Sequence, residues 1–530
     1  MNHVILDTVI VGGGLCGLAL AKTLHEQGRT FSLYEARARL GGRILSVPSA
    51  NNSMALDLGP TWFWPDTQPR MSKLVADLGL HYFQQHDTGS VLRLVDPDKR
   101  PDSTHMDELH GGAQRLVGGM AALVDALAKD LPADAIHLMQ ELITVRDLGK
   151  QVELLFRTGD TTTSVRARQV ILAMPPRLLG ERVQFEPMLE EAMRAALQAT
   201  PTWMADKAKV VVTFEQPFWR TAGESGNAFV NHEQAVLGEI FDACDAQGTQ
   251  AALGGFFALT PQYRASCSQE IMPMLITSQL VQVFGVKAEQ GEQYIQDWAT
   301  EVFTCSTLDQ MPQDGHPEYG NPHLRRSLWN NKLLLGGSET AGYGGGYMEG
   351  ALESAARIQR ALVLDANVAT PFLSGNAVSL THFSAQVLAL RGVAITRYRQ
   401  HLQRYLIAQA KEQLTQRALL DTVEQVYSEA LDQLGALSFD ITGVGVQQGR
   451  SDLTPSVLAP FEGFRIALMD EALVFNLGSC AISNFPDELN PSKEYVDTIA
   501  RDLAAAWREF ALNANSLLLN QKKPQLALVK

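Results

Sequence analysis

The sequence TVIVGGGLCGLALAKTL, residues 8–24, decides the fold. It begins with an apolar, β-branched run, residues 9–11, that is typical of a buried parallel strand. The chain then turns through glycines, and apolar residues return at helical spacing. The N-terminus of such a helix offers N–H groups and the positive end of its dipole to phosphates. The stretch therefore predicts a site for a bound dinucleotide.

The glycine pattern GxGxxG is formed by Gly12, Gly14 and Gly17. Gly12 permits the tight turn, Gly14 lets the backbone approach a pyrophosphate, and Gly17 allows close packing of helix against strand. Leu15 and Cys16 lie between the second and third glycines. We expect all five residues to border the same cofactor.

A second predicted strand, residues 31–35, ends on Glu35, which comes 18 residues after Gly17. A carboxylate near this spacing accepts hydrogen bonds from ribose hydroxyl groups. It would repel a 2′-phosphate, so the pattern argues against NADP. Ala36 and Arg37 follow directly, and we expect them to lie along the cofactor as well.

The composition places limits on the function. The 530 residues are 45% hydrophobic and 19% charged, which is typical of a globular protein with more than one domain. A formal net charge of −14 argues against nucleic acid and anionic membranes as general partners. Five cysteines without a CxxC pattern predict a reduced compartment. Neither a targeting segment nor an apolar run long enough for a membrane span is evident, so we expect a cytoplasmic protein.

Paired glycines before an arginine, residues 41–43, provide a second close approach of backbone to phosphate, and Arg43 can neutralise a pyrophosphate. A nicotinamide-binding domain does not need this second device. This glycine–glycine–arginine stretch and residues 55–80 make the chain resemble the flavin-containing amine oxidase family, whose best-known members are monoamine oxidases. The likeness spans roughly residues 5–362 and is strongest in three later stretches: VILAMPP (170–176), LLLGGSETA (333–341) and GYMEGA (346–351).

The resemblance implies an α/β fold with a Rossmann-type, FAD-binding domain built on a parallel sheet. That domain would consist of residues 1–80, 110–178 and 326–365. A mixed α+β substrate-binding domain would consist of residues 81–109 and 179–325. Its β-branched run at 209–214 and the stretch at 254–257 are predicted strands.

Residues 366–530 lie outside the resemblance. A link near 366–379 contains proline, glycine, serine and asparagine and marks a boundary. Apolar residues at helical spacing then predict an additional, mainly helical domain, with one strand-like run at 473–477. A basic stretch, residues 391–417, is either a solvated or packed helix face or a docking surface for an acidic partner. Its role is open, and this domain could also carry a protein partner or a homo-oligomer contact.

Three residues carry over from the family with a specific role. Lys209, nine residues before Phe218, matches the lysine that hydrogen-bonds through water to flavin N5. Tyr347 matches one wall of an aromatic cage over the flavin, and Glu339 matches a carboxylate near its ribityl and phosphate groups. Read without the family, Lys209 is a strand-end lysine and Tyr347 a packed core tyrosine.

The resemblance assigns a larger set of residues to the cofactor: Gly12, Gly14, Leu15, Cys16, Gly17, Glu35, Ala36, Arg37, Gly42, Arg43, Gly59, Pro60, Thr61, Glu339, Tyr347 and Met348. It assigns three more to the substrate pocket: Trp62, Leu308 and Tyr343.

The chain departs from the family at three positions. Thr307 stands where mitochondrial monoamine oxidases have the cysteine that binds flavin, and Cys305 is out of register, so we predict non-covalent FAD. Leu308 replaces the second tyrosine of the cage. Trp62 stands where related L-amino-acid oxidases carry an arginine for the substrate carboxylate. A free amino acid is therefore disfavoured unless another arginine makes that contact.

These observations predict an FAD-dependent oxidase of amines. A hydride would pass from the amine α-carbon to flavin N5 to give an imine, and O2 would reoxidise the flavin with release of hydrogen peroxide. An alternative is an FAD-dependent biosynthetic oxidation or desaturation of a specialised metabolite. A third is a flavin-stabilised partner protein. The sequence contains neither HExxH nor GxSxG, so it predicts no metal site and no hydrolase nucleophile.

Overall fold

The structure is a computed structural model of the chain. It describes residues 5–521 except 51–53, 107–108, 269, 314, 366–375, 408–411, 442–443, 448, 478, 480–481 and 483–484. The chain divides into two compact units. The first lies within residues 1–313, 317–341 and 345–355, and the second within 314–316, 342–344 and 356–530.

The described strands are, in chain order, β1 (Ile5–Val11), β2 (Phe31–Tyr34), β3 (Ser46–Pro48), β4 (Ala55–Asp57), β5 (Tyr82–Gln84), β6 (Ser90–Leu94), β7 (Asp102–His105), β8 (Gln114–Leu116), β9 (Ile136–His137), β10 (Glu141–Asp147), β11 (Val152–Thr158), β12 (Thr161–Ala173), β13 (Gln184–Glu186), β14 (Ala208–Phe214), β15 (Glu224–Val230), β16 (Leu237–Asp242), β17 (Ala251–Phe257), β18 (Glu292–Asp297), β19 (Leu333–Gly336), β20 (Val446–Gln447) and β21 (Arg450–Ser451).

The described α-helices are α1 (Leu15–Glu26), α2 (Pro69–Asp77), α3 (Ala121–Ala128), α4 (Pro176–Arg182), α5 (Glu191–Ala199), α6 (Phe218–Thr221), α7 (Pro261–Ser266), α8 (Ile271–Phe284), α9 (Pro322–Arg325), α10 (Met348–Asp365), α11 (Asn376–Gly392), α12 (Ala394–Ile407), α13 (Leu414–Ala436), α14 (Thr454–Leu458), α15 (Phe464–Leu477), α16 (Pro486–Leu489) and α17 (Lys493–Leu519).

The first sheet of the first unit contains the glycine-rich stretch. Its strand order is β13-β10-β11-β12-β1-β2-β9, and β19 also pairs with β12. Strand β1 runs parallel to both β12 and β2, and Val9 and Ile10 are fully buried. Helix α1 follows β1 directly, as the sequence predicts. The Rossmann-type arrangement of parallel strands is therefore confirmed, in a sheet where β11 runs antiparallel to β10 and β12.

The second sheet of this unit is mainly antiparallel, with the order β18-β14-β17-β16-β15-β6-β7. The β-branched run forms the fully buried strand β14, and the stretch at 254–257 ends β17. Two pairings cross the predicted segment boundaries: β13 falls in a predicted substrate segment but joins the first sheet, and β5 of a predicted substrate segment pairs with β8 of a predicted FAD segment. The assignment of the two sheets to FAD and substrate binding stays a prediction.

The second unit is mainly helical, which confirms that part of the fold prediction. Its core includes Tyr398 of α12 and Tyr427 of α13, and the ring of Tyr427 stacks on Phe510 of α17 at 4.6 Å. The prediction of a strand at 473–477 is wrong, because these residues form the last part of helix α15. Burial at a four-residue spacing, Leu468 and Ala472, selects the helix over the strand.

Several basic side chains of the second unit are paired or packed within it. Arg397 donates to Glu429 at 3.0 Å, and the guanidinium of Arg399 lies 4.5 Å from the ring centre of Phe475. Lys411 and most of the predicted link near 366–379 lie outside the described residues. No single described helix has the length and apolar composition to cross a membrane, although the bent pair Val378–Gly392 and Ala394–Ile407 meets that test jointly.

Candidate active site

Two glycines of the first motif are required by the packing of the protein itself. Gly12 has a φ of +107°, and a Cβ atom there would lie 2.3 Å from the carbonyl oxygen of Ala173. A Cβ atom on Gly17 would lie 2.0 Å from the carbonyl oxygen of Gly12. These glycines therefore hold β1, the turn and α1 together, as the sequence predicts.

Gly14 is different, because no protein contact requires a glycine there. A Cβ atom on Gly14 would meet only the Cα of Gly42, at 4.0 Å. Gly14 forms a bridge with Gly41, whose N–H donates to Gly13 at 2.8 Å, so the two glycine motifs lie against each other. Open space beside a backbone at the start of α1 is what a pyrophosphate needs. The residues present therefore fit a dinucleotide.

Glu35 lies beside the glycine turn and is 5% exposed. One carboxylate oxygen accepts from the N–H of Gly13 at 2.7 Å, and the other accepts from the N–H of Arg37 at 2.9 Å. Because a carboxylate has about four acceptor sites, Glu35 retains capacity for ribose hydroxyl groups. Arg37 also donates to Glu301 at 3.0 Å, a partner that sequence reasoning missed. Ala36, which lies between Glu35 and Arg37 in the sequence, is partly buried.

Arg43 and Glu339 bring the N-terminal and C-terminal cofactor motifs together. The two guanidinium nitrogens of Arg43 donate to the two carboxylate oxygens of Glu339 at 2.6 and 2.9 Å. Arg43 also donates to Ser338 Oγ at 3.0 Å. Glu339 is 1% exposed, so this bidentate pair is largely removed from water. The sequence predicted that both residues contact the cofactor, but it did not predict that they pair with each other.

Tyr347 is paired with an aromatic residue that the sequence did not reveal. Its ring centre lies 6.5 Å from that of Trp203, with an angle of 50° between the ring planes. A Cβ atom on Gly346 would lie 2.8 Å from Trp203, which explains this glycine. Tyr347 is partly buried rather than a core tyrosine, and Met348 begins α10 directly after it. No local pattern around Trp203 distinguished it from a packing residue.

Lys209 lies on β14 and is 2% exposed, so it is not a solvated strand-end lysine. Its ammonium nitrogen donates to the carbonyl oxygen of Gly59 at 2.9 Å and to Thr61 Oγ1. Pro60 lies between these two acceptors in the chain. The sequence-predicted residues Lys209, Gly59, Pro60 and Thr61 are thus brought together.

Two aromatic rings enclose the Lys209 side chain. Its ammonium nitrogen lies 5.3 Å from the ring centre of Phe241 and 5.5 Å from that of Phe256. Burial lowers the pKa of Lys209 to about 7, although the Asp57 carboxylate opposes the shift. Lys209 can therefore exchange its proton near neutral pH.

Trp62 forms a wall of the same aromatic cluster. Its ring packs edge-on against Phe241 at 4.6 Å and lies 4.8 Å from the ring of His110. The indole N–H donates to Gln85 at 2.8 Å. His110 Nδ1 lies 2.6 Å from the Asp87 carboxylate. The sequence assigned Trp62 to the substrate pocket, which stays a prediction, and it missed the contacts of Trp62 with Phe241, Phe256 and His110.

The two other predicted pocket residues are placed differently. Leu308 lies on a 3-10 turn, Thr307–Gln310, and is 44% exposed. Tyr343 is 2% exposed and lies in the loop before α10. Their roles in a pocket stay predictions. Cys305 is buried, and its thiol donates to the carbonyl oxygen of Ser306 at 3.5 Å.

Comparison with known proteins places this arrangement in a family. Residues 101–361 match the model of flavin-containing amine oxidoreductases, and residues 10–78 match that of the NAD(P)-binding Rossmann-like domain. These matches confirm the resemblance to the flavin-containing amine oxidase family, and they identify the chain as a flavoprotein oxidoreductase of the amine oxidase class.

Individual relatives of this family are distant. Flavin-containing amine oxidase B is 24% identical in Mus musculus and 25% identical in Sus scrofa, and each match covers 67% of this chain and 86% of the relative. Among solved structures, putrescine oxidase bound to putrescine has a TM-score of 0.56 at 20% identity, covering 68% of this chain and 99% of that one. Cyclohexylamine oxidase from Brevibacterium oxydans IH-35A has a TM-score of 0.56 at 21% identity, covering 68% and 100%.

Proposed function

We propose that the chain is an FAD-dependent oxidase of amines that uses O2 as electron acceptor and forms hydrogen peroxide. The observation that carries this proposal is the position of Lys209. It is buried between aromatic rings and donates to the loop of residues 59–61, which the family assigns to the flavin. When bound, FAD would supply the acceptor for the hydride of the amine and pass the electrons to O2.

FAD would be held without a covalent bond. Gly14 leaves room for the pyrophosphate, and Glu35 has acceptor capacity for the ribose. Burial raises the pKa of the Cys305 thiol to about 12, so that thiol is not poised as a nucleophile. Thr307 carries no thiol. These observations support a cofactor that leaves the protein on denaturation.

The aromatic surfaces would favour the reactive form of the substrate. An amine can donate a hydride only when its nitrogen is neutral, and desolvation between Trp62, Phe241 and Phe256 lowers the pKa of a bound ammonium. Tyr347 and Trp203 would provide a second aromatic surface near the cofactor motifs. Lys209 would hold or release a proton close to the reacting groups because its own pKa is about 7.

Amines suit this site better than free amino acids. Arg115 is an arginine whose charge acts on both Lys209 and Asp57. Its guanidinium donates to the backbone carbonyls of Cys244 and Ala243 at 2.8 and 3.1 Å. Arg115 is 6% exposed, and these two carbonyls occupy its two terminal guanidinium nitrogens. The relatives named above include oxidases of putrescine and cyclohexylamine, which are amines without a carboxylate.

The test is amine-dependent peroxide formation by the purified holoprotein. A panel of alkylamines, arylalkylamines, diamines and amino acids is supplied in air, and hydrogen peroxide is measured. We expect peroxide with at least one class of amine and none with amino acids. Flavin-containing protein that forms no peroxide with any amine would contradict the oxidase assignment. Acid precipitation of the same sample should release the yellow cofactor into the supernatant.

A further inference from the structure

Three residues of the second sheet form a row across adjacent strands. Lys209 of β14 pairs with Phe256 of β17, and Phe256 pairs with Glu239 of β16. Residues directly opposite on neighbouring strands project from the same face of a sheet. Glu239 therefore shares a face with Lys209, and two strand spacings put roughly 10 Å between their backbones.

The aromatic cluster covers this same face. Phe241 is two positions after Glu239 on β16, so both side chains project to one side. Trp62 packs on Phe241 and reaches within 6.3 Å of Phe256. The face thus presents a buried lysine at one end, aromatic rings along its length and a carboxylate at the other end.

The Glu239 carboxylate has no hydrogen-bond or ion-pair partner within the described part of the chain. The titratable groups that face it are His110 and Lys209. His110 is hydrogen-bonded to Asp87, and Lys209 donates to the loop of residues 59–61. Burial raises the pKa of Glu239, against the opposing effect of His110 and Lys209. A carboxylate partly withdrawn from water without a partner is costly, and a cation from outside the chain would offset that cost.

We propose that the Glu239 carboxylate determines substrate specificity by binding a second ammonium group of the substrate, so that aliphatic diamines or longer polyamines are the preferred substrates. This inference rests on the proposed amine oxidase function. The reacting nitrogen must be neutral and lie toward Lys209, whereas the second nitrogen stays charged at Glu239. The aromatic rings between them would contact the methylene chain.

The experiment compares matched pairs of substrates in the holoenzyme. Diaminobutane is paired with butylamine and diaminopentane with pentylamine, each mixed anaerobically with wild type, Glu239→Gln, Glu239→Asp and Glu215→Gln. The dependence of the flavin reduction rate on amine concentration gives an apparent Kd and a limiting rate. Glu215 is an exposed glutamate that follows β14, and its variant controls for a lost surface charge.

Wild type and Glu215→Gln should bind each diamine more tightly than its matched monoamine. Glu239→Gln should raise the apparent Kd of diamines by about tenfold or more and leave that of monoamines within about twofold. Glu239→Asp, which keeps the charge, should recover part of the preference. A structural role would instead weaken both classes equally.

Two other results have distinct meanings. Equal reduction by monoamines and diamines, unaffected by Glu239→Gln, would overturn the role of Glu239 and leave the amine oxidase function standing. A bound flavin that neither class reduces would overturn this inference, and it would overturn the proposed function as well if the arylalkylamines of the wider panel also leave the flavin oxidised.

Discussion

Arg43 and Glu339, 296 positions apart in the sequence, form a bidentate ion pair with nitrogen–oxygen distances of 2.6 and 2.9 Å. The pair joins the glycine–glycine–arginine motif near the start of the chain to the serine–glutamate–threonine motif that follows β19. Both motifs border the proposed cofactor. The region can therefore form only when these distant segments have met.

Removing the cation of this pair should destabilise the first unit. Arg43→Met leaves the buried Glu339 carboxylate without its partner, and we expect a loss of about 3 kcal/mol in the free energy of unfolding. Arg43→Lys should also have a lower free energy of unfolding than wild type, because lysine cannot donate two parallel hydrogen bonds to one carboxylate. Denaturant unfolding of the apoprotein measures both. Arg326→Met, which removes an exposed pair with Glu190, is the control and should change little.

Gly14 should be needed for the cofactor and not for the fold. Gly14→Ala places a Cβ where the protein offers only an ordinary contact with Gly42, but where a pyrophosphate would lie. We expect the variant to fold and to purify with little FAD. Gly17→Ala, whose Cβ would meet a carbonyl oxygen at 2.0 Å, should lose both stability and FAD. The flavin-to-protein absorbance ratio and the thermal melt separate the two effects. Normal FAD content in Gly14→Ala would contradict a pyrophosphate site beside Gly14.

Lys209→Met should keep FAD bound but slow one or both half-reactions of the flavin. The variant removes a buried positive charge from the reacting groups, and such groups are typically worth on the order of 10²-fold in rate. Stopped-flow measurement gives reduction by amine and reoxidation by O2 separately. Lys207→Met is the control, since Lys207 is partly exposed and paired with Asp206 at 2.8 Å. Unchanged kinetics in both half-reactions would remove Lys209 from the mechanism.

The rate of flavin reoxidation should depend on pH through the same lysine. Because burial lowers the pKa of Lys209 to about 7, its side chain is positive below this pH and neutral above it. A positive charge stabilises the negative charge that develops on O2 during its reduction. The rate should therefore fall as the pH rises through about 7 in wild type, and it should be low and independent of pH in Lys209→Met. A wild-type rate that rises through this range would reverse the assigned role.

Local signals in the sequence predicted the nucleotide-binding end of the fold. A β-branched strand, glycines at fixed spacing and a following helix are encoded within 17 residues, and the parallel sheet they predict is present. The run at 473–477 shows the limit of such signals. A run of five residues, four of them apolar, fits a strand or a helix equally well, and only packing against the rest of the second unit selected the helix.

The walls of the candidate site depend on contacts that no local pattern encodes. Glu239, Phe256 and Lys209 share a face only because β14, β17 and β16 pair in one register, and a shift of one residue would turn Glu239 away. Trp203 meets Tyr347 through a loop that precedes β14 by several residues. The sequence therefore predicted Lys209 and Tyr347 but not their surroundings.

The most direct test of the account is anaerobic mixing of the purified holoprotein with aliphatic diamines and monoamines, while the visible absorption band of oxidised flavin is followed. The account predicts that a diamine bleaches the band faster than its matched monoamine, and that admission of air restores the band with release of hydrogen peroxide. A bound flavin that keeps its band with every amine would contradict the central claim that this site oxidises amines.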